Sequence, residues 1–281
     1  VKSGFATLVG RPNVGKSTLL NRLVGSKVSI TSDKPQTTRH NIRGVLHRPE
    51  SQIVLVDTPG ITRPRSALGE RLAVSAEEAL SGVDVVLVVI DAGAGIGAGD
   101  RAVASRVQPA AEKVVCVLNK VDAMKPPAIA AQLALAAQWG FSAYHPISAL
   151  TGDGVHALLQ EIESRMPEGP AFYPEDQVSD MPEEFWVAEL VREQLLTETR
   201  EELPHSIGCR VTEWEWPRIR CEIVVERESQ KGIVIGHRGE MLKRVGEAAR
   251  LQLPPGAYLE LHVTVEKDWQ RKPERVRRLG Y

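Results

Sequence analysis

The chain has 281 residues, three cysteines and a formal net charge of −1, from 35 Lys or Arg against 36 Asp or Glu. That length suggests two domains, each able to bury a core, and the near-neutral balance excludes a chain that is basic throughout, so any nucleic-acid surface has to be local. Cys116, Cys209 and Cys221 have neither disulfide-framework nor metal-ligand spacing, and the longest apolar run, 83–90, is broken by Asp84 and too short to span a bilayer. Reduced thiols in a cytoplasmic protein are expected, without secretion or membrane insertion.

The first predicted element is a strand over Phe5–Val9, and the stretch that follows it fits Gly, four free positions, Gly, Lys, Ser: Gly10-Arg11-Pro12-Asn13-Val14-Gly15-Lys16-Ser17. Leu19, Leu20 and Leu23 then recur at helical spacing. Strand, loop and helix in that order form a phosphate cradle, with converging backbone N–H groups at a helix N-terminus. Gly10, Asn13, Val14, Gly15, Lys16, Ser17 and Thr18 are the candidate nucleotide contacts. Lys16 is expected to reach the β- and γ-phosphates, and the Ser17 hydroxyl to take Mg²⁺. A Gly-rich turn with an incidental Lys-Ser is the plainer reading, and the strand-loop-helix context argues against it.

Residues 27–39 are polar and include the adjacent hydroxyls Thr37 and Thr38, placed to reach Mg²⁺ and a γ-phosphate as a first switch segment. Strands follow over 40–46 and 52–56. The second ends in Asp57-Thr58-Pro59-Gly60, where Asp57 can hold Mg²⁺ and Gly60 can bring its N–H against a γ-phosphate with no side chain in the way. Further strands are predicted over 83–90, 113–118 and 143–147. Several are continuous in Val, Ile and Leu, as strands buried on both faces are, so the fold class is α/β with a doubly wound, mostly parallel sheet and its ligand at the carboxyl ends of the strands. The Gly-rich stretch 91–100 lacks a following Lys-Ser or Lys-Thr and reads as a connection, and 128–139 reads as a surface helix.

Asn119-Lys120-Val121-Asp122 is the most discriminating sequence in the chain. A carboxylate at Asp122 accepts from both N1–H and the 2-amino group of guanine. Adenine has neither donor there, and the unpaired carboxylate it would leave is worth a selectivity of about 10⁴ or more. Asn119 would tie loops together, the Lys120 stem would cover the base, and Ser148-Ala149 would offer the Ala149 N–H to guanine O6.

Residues 166–184 combine prolines with six acidic residues and read as a linker between a domain over 1–165 and one over 185–281. In the second, 187–196 is helical, 208–215 and 218–228 alternate as a strand pair turning near Trp216-Pro217, and 258–265 is a further strand. Between them, Gly236-His237-Arg238-Gly239 joins two helical segments, the second carrying Lys243. From 231 to 281 there are eleven Lys or Arg against six Asp or Glu. That order resembles a KH RNA-binding domain of the helix-first type, and the resemblance implies that the turn clamps a single-stranded backbone, with bases over the apolar groove beside it. The candidate RNA contacts are Ile235, Gly236, His237, Arg238, Gly239 and Lys243. For the tail 271–278, the plainer reading as a solvated basic face stays open.

Together these sequences resemble the five guanine-nucleotide motifs of the translation-factor-related GTPases. The wording Gly-Arg-Pro-Asn-Val-Gly-Lys-Ser-Thr-Leu-Leu-Asn and Lys-Pro-Gln-Thr-Thr-Arg, with a helix-first (type II) KH domain behind it, is similar to the Era family. The resemblance spans nearly the whole chain. It implies a cytoplasmic, monomeric, Mg²⁺-dependent GTPase that binds GTP and GDP, binds single-stranded ribosomal RNA rather than DNA, and acts in 30S subunit assembly, with peripheral membrane association left open. The alternative is a constitutive RNA-binding accessory protein whose nucleotide site is structural; a P-loop kinase is disfavoured by the complete Asn-Lys-x-Asp sequence. Lys16, Thr38 and Gly60 are the expected catalytic positions. Ile61 stands where Ras-like enzymes carry a water-orienting Gln. Asn13 matches a position that coordinates K⁺ in related GTPases, and it serves equally well as a brace for the loop.

Overall fold

The computed structural model describes residues 1–61, 64–200 and 203–281. Two compact units result: one holds 1–31, 38–63 and 72–180, the other 32–37, 64–71 and 181–281.

The first unit is built on a six-stranded sheet: β1 (Lys2–Val9), β2 (Ile42–His47), β3 (Ser51–Asp57), β4 (Val85–Asp91), β5 (Val114–Asn119) and β6 (Ala143–Pro146), in the order β2-β3-β1-β4-β5-β6. Only β2 runs antiparallel, paired with β3. Because the others are parallel and in register, with Leu8 opposite Asp57 and Asp91 opposite Asn119, the chain leaves β1, β3, β4 and β5 along one edge. Helices α1 (Lys16–Val24), α2 (Ala67–Glu78), α3 (Ala98–Val107), α4 (Pro126–Ala137) and α5 (Val155–Ser164) follow in sequence, α2 starting in the second unit. β3, β4 and β5 are buried almost end to end, as their continuous aliphatic runs predict. Val9, Val88, Ile90, Val103, Cys116 and Leu118 belong to the core they form with α3.

The second unit comprises α6 (Glu183–Glu198), α7 (Leu203–Ser206), β7 (Gly208–Glu215), β8 (Arg218–Val225), α8 (Glu228–Ile235), α9 (Glu240–Arg250), β9 (Tyr258–Val265) and α10 (Pro273–Arg278). Its sheet pairs β7 antiparallel and β9 parallel to β8. Val191 and Leu195 of α6, Cys221 and Ile223 of β8, Val234 of α8 and Val245 of α9 close its core. The tail 271–278 keeps Arg271, Lys272, Arg277 and Arg278 exposed, as a solvated basic face does, and buries Val276 on its other side. Trp269 is fully buried, its indole N–H donates to the Ser206 carbonyl at 2.9 Å, and Tyr281 stacks on it at 6.0 Å.

The stretch expected as a linker, 166–184, is divided. Residues 166–180 lie along the first unit: Ser3 N–H donates to the Pro167 carbonyl at 2.9 Å, Val45 N–H to the Val178 carbonyl at 2.8 Å, and Arg43 pairs with Asp180 at 3.0 Å. Glu183 and Glu184 open α6, where their charge suits the helix N-terminus. Proline and acidic composition marks a segment that forms no helix of its own, and cannot distinguish a docked strap from a free one.

Candidate functional site

Gly10 follows the end of β1 under a hard steric limit: a Cβ there would lie 2.5 Å from the Val89 carbonyl oxygen. Gly15, at φ 98°, occupies the left-handed region, and a Cβ there would lie 2.2 Å from Asn119 Nδ2. The chain then enters α1, with Leu19 N–H donating to the Gly15 carbonyl at 2.9 Å. Lys16 is buried, its ammonium donating to the carbonyls of Arg11 at 3.0 Å and Gly10 at 3.4 Å. Burial lowers its pKa to about 8, against the opposing charge of Asp57.

Four oxygen-bearing side chains meet beside it. The Ser17 hydroxyl donates to Asp57 Oδ2 at 2.6 Å and lies 3.0 Å from the Thr38 hydroxyl, which reaches the same oxygen at 3.2 Å; Ser29 joins it at 3.1 Å. Asp57 is fully buried, and burial raises its pKa against the Lys16 charge and these three hydroxyl donors. Its other oxygen, Oδ1, is buried with no hydrogen-bond partner among the described residues. A buried carboxylate with one orphaned oxygen, flanked by three hydroxyls and an ammonium, suits a hard divalent cation bound together with phosphate. Gly60 lies directly against the phosphate loop: a Cβ there would be 2.7 Å from Pro12 N, and Ile61 N–H donates to the Gly10 carbonyl at 3.0 Å. The Ile61 side chain packs on the apolar core.

Asn119, at the end of β5, is buried and bridges two loops. Its Nδ2 donates to the Val14 carbonyl at 2.9 Å and its Oδ1 accepts from Ala149 N–H at 2.9 Å. That second bond differs from expectation, since the Ala149 amide foreseen for guanine O6 is engaged by Asn119 here. Ser148 is fully buried and its hydroxyl accepts from Thr151 N–H at 3.0 Å. Lys120 is tied to Asp91 Oδ2 at 2.6 Å and to the Asn13 carbonyl at 2.7 Å. Asn13 itself sits at φ 64°. Asp122 is exposed, and its carboxylate has no partner among the described residues. Thr18 and Ala149 line one cleft of about 360 Å³ with Arg22, Lys27 and Leu150.

Reading the sequence did not single out Ser29, Arg22, Asp91 or Asp100. Arg22 donates to the Ala149 carbonyl at 3.0 Å and also to Leu150 O, and Arg11 pairs with Asp100 at 2.9 Å. Polar residues in loops carry no signal of their own, although Asp91, ending a buried strand level with Asn119, offered a positional one.

In the second unit, α8 ends at Gly236, at φ 74°, and Arg238 (φ 50°) and Gly239 (φ 82°) turn the chain into α9. A Cβ at Gly236 would lie 2.7 Å from Met241 Cβ. His237 and Arg238 are exposed at the tip, while Ile235 packs on the core. Lys243, Gly246, Glu247, Arg250, Leu259 and Leu261 line a cleft of about 300 Å³, an apolar floor with a rim of mixed charge in which Lys243 lies 3.9 Å from Glu247.

Residues 5–120 match the family described as 50S ribosome-binding GTPase, and residues 202–270 match the KH domain family. GTPase Era of Staphylococcus haemolyticus is 43% identical over 290 residues, which cover all of this chain and 97% of that protein. The chain belongs to the Era family of GTPases. GTPase Era of Mycobacterium tuberculosis is 45% identical over 296 residues, covering 99% of this chain and 98% of the relative. Two solved Era structures superpose with a TM-score of 0.96 over the whole of this chain and 99% of each of theirs. One, at 38% identity, is an Aquifex aeolicus Era variant bound to GDP and AlF4⁻; the other, at 39%, is Era with MgGDPNP and nucleotides 1506–1542 of 16S ribosomal RNA. The expected Era fold, a P-loop GTPase sheet followed by a KH domain, is therefore the fold of this chain.

Proposed function

We propose that this Era-family chain is a GTP-hydrolysing switch that binds single-stranded small-subunit ribosomal RNA through the 236–239 turn and acts in assembly of that subunit. The observation that carries the nucleotide half is the convergence of Lys16, Ser17, Thr38 and Asp57, with Oδ1 of Asp57 left without a partner. Ser17, Thr38 and Asp57 would hold Mg²⁺, which when bound neutralises phosphate charge as it develops. Lys16 supplies a cation against the β- and γ-phosphates, and its burial keeps that charge in a low-dielectric setting where it acts strongly. Gly60 leaves room for its amide to face the γ-phosphate. Asp122, exposed and unpartnered, accepts from the guanine edge, while Asn119 holds the phosphate loop and the Ala149 loop in register.

The residue that follows Gly60 does not orient water, because the apolar Ile61 side chain is packed against the core. Hydrolysis is accordingly slow, and Asn13 would hold a K⁺ ion whose charge could stand in for that of an arginine finger. Faster turnover in KCl than in NaCl, lost in Asn13→Ala with nucleotide binding kept, is the expected result. Equal rates in the two salts would remove the cation from the mechanism.

For the RNA half, the relative solved with 16S nucleotides and the glycine-framed turn beside an apolar cleft support backbone clamping with bases over the cleft. The small subunit is favoured over the large one because that relative's RNA is 16S. Co-sedimentation with isolated 30S and 50S particles separates the two.

The deciding experiment on the nucleotide site is Asp122→Asn. The variant should lose GTP affinity and gain affinity for xanthosine triphosphate, which presents an acceptor where guanine has its amino group. Unaltered GTP affinity would refute the assignment.

A further inference from the structure

A third cleft, of about 430 Å³, opens within the second unit, and every residue lining it belongs to that unit. Three arginines converge on it from distant parts of the sequence: Arg65 just before α2, Arg227 just before α8 and Arg271 after β9. Several other arginines of the same unit are paired with carboxylates, Arg210 with Glu222, Arg220 with Glu213, Arg244 with Glu198 and Arg275 with Glu266, whereas Arg238, Arg250 and Arg277 have no ion pair among the described residues. None of the three in the cleft has an ion pair among the described residues. Among the described residues Glu226 is the one carboxylate in the lining, so their formal charge is +2 before His205 is considered.

The lining is prepared for hydrogen bonding as well. Gln230 Oε1 accepts from the backbone amides of Glu226 and Arg227 at 2.9 and 3.1 Å, fixing the segment that presents Arg227. Gln270 is anchored through Nε2 to the His205 carbonyl at 2.8 Å. Ser66 Oγ accepts from Gly69 N–H at 3.1 Å, which leaves its hydroxyl proton for another acceptor. Like charges gathered in a concave site repel one another until an anion enters, and planar guanidinium groups suit phosphate oxygens. Among the described residues the cleft holds no Phe, Tyr or Trp, and the His205 imidazole is a small platform on which to stack a nucleic-acid base.

We propose that this cleft is an anion site for a small ligand carrying a diphosphate group, separate from the P-loop and from the KH cleft. Its walls include Gln36, two residues before Thr38, and Arg65 and Ser66, a few residues after Gly60. Occupancy is therefore coupled to the nucleotide state. That coupling rests on the switch reading above, whereas binding itself does not.

The test is calorimetric titration of inorganic pyrophosphate into the full chain saturated with Mg²⁺ and GDPNP, so that the P-loop is already filled. One site with submillimolar affinity is expected, and Arg65→Gln, Arg227→Gln and Arg271→Gln should each weaken it about ten- to a hundredfold, the range for loss of a charge-assisted hydrogen bond. All three are exposed, so thermal melting should be unchanged. Lys243→Gln should leave binding intact. No binding, binding insensitive to the three arginines, or equal binding of sulfate at matched ionic strength would overturn the site. Competition by single-stranded RNA through the same arginines would make it an RNA-backbone contact and overturn the small-ligand reading. Repeating the titration with GDP in place of GDPNP tests coupling alone: equal affinities would remove the coupling and leave the site.

Discussion

Asn119→Ala is the most direct test of how the nucleotide loops are held. The side chain supplies two hydrogen bonds of 2.9 Å, one to the Val14 carbonyl and one from the Ala149 amide, and both of those residues are buried. Removing it orphans one buried acceptor and one buried donor, each costing roughly 1 to 3 kcal/mol, so a loss of about 2 to 6 kcal/mol is expected. A domain of this size is typically stable by ~5 to 15 kcal/mol, which makes the loss severe but survivable. With two units in the chain, a single unfolding midpoint would mix their transitions, so residue-resolved hydrogen exchange is the better assay. The Ala149 amide should lose protection while amides of β8 keep theirs, and guanine-nucleotide affinity should fall in parallel. Asn119→Asp retains an acceptor for Ala149 but sets a carboxylate against the Val14 carbonyl, and should be destabilised at least as much. Unaltered Ala149 exchange, with a stability loss below about 1 kcal/mol, would refute the bridging role.

Gly60→Ala should displace the phosphate loop, since the new methyl would lie 2.7 to 2.9 Å from Pro12 backbone and ring atoms that cannot rotate away. A cost of about 1 to 3 kcal/mol is expected, with weakened GTP binding, while Gly93→Ala, whose nearest neighbour is an Asp91 oxygen at 3.4 Å, serves as the neutral control. Lys16, lowered to about 8, is largely neutral in the ligand-free fold above that pH, although still charged in the unfolded chain up to its ordinary value near 10.5. The unfolded state thus binds more protons in this window, so this group's contribution to stability rises with pH there. Phosphate beside the amine restores its charge, so GTP affinity should be level below pH 8 and fall by up to about tenfold per pH unit above it. Calorimetry in buffers of different ionisation enthalpy would detect the proton taken up, and a flat profile would contradict the contact. Burial pushes the Cys116 thiol up to about 12, and a hydrogen bond with Cys209, together with burial, raises Cys221. Iodoacetamide at pH 8 should therefore leave both intact in the native protein and modify them after denaturation.

The phosphate loop, β3 with Asp57 and β5 with Asn119 were legible because each rests on a local rule: glycines where a Cβ cannot fit, and aliphatic runs ending in a polar residue. The α6, β7, β8, β9 and Gly-x-x-Gly order was legible for the same reason. Ser29 was hidden because its approach to Asp57 depends on the path of the chain after α1, which no periodicity encodes. The Ala149 amide was assigned to a ligand because sequence cannot tell that Asn119 Oδ1 lies within reach of it. The buried Trp269–Tyr281 stack was masked by the arginines around it, whose charge describes the outer face of α10 and says nothing of the inner one.

Residues 32–37 fold with the second unit, and one buried side chain accounts for much of that attachment. Arg192 of α6 is fully buried, pairs with Glu189 at 2.7 Å and donates to the Thr37 carbonyl; the Glu189 carboxylate outweighs burial and raises the guanidinium pKa above its ordinary value. A chain cut after residue 180 would retain every guanine-nucleotide motif, yet the Thr37 carbonyl would lose its donor one residue ahead of Thr38. Turnover measured on such a fragment would describe a peptide segment released from its support. Rates from the amino-terminal half alone therefore do not transfer to the intact enzyme, and hydrolysis has to be dissected by point substitution within the whole chain.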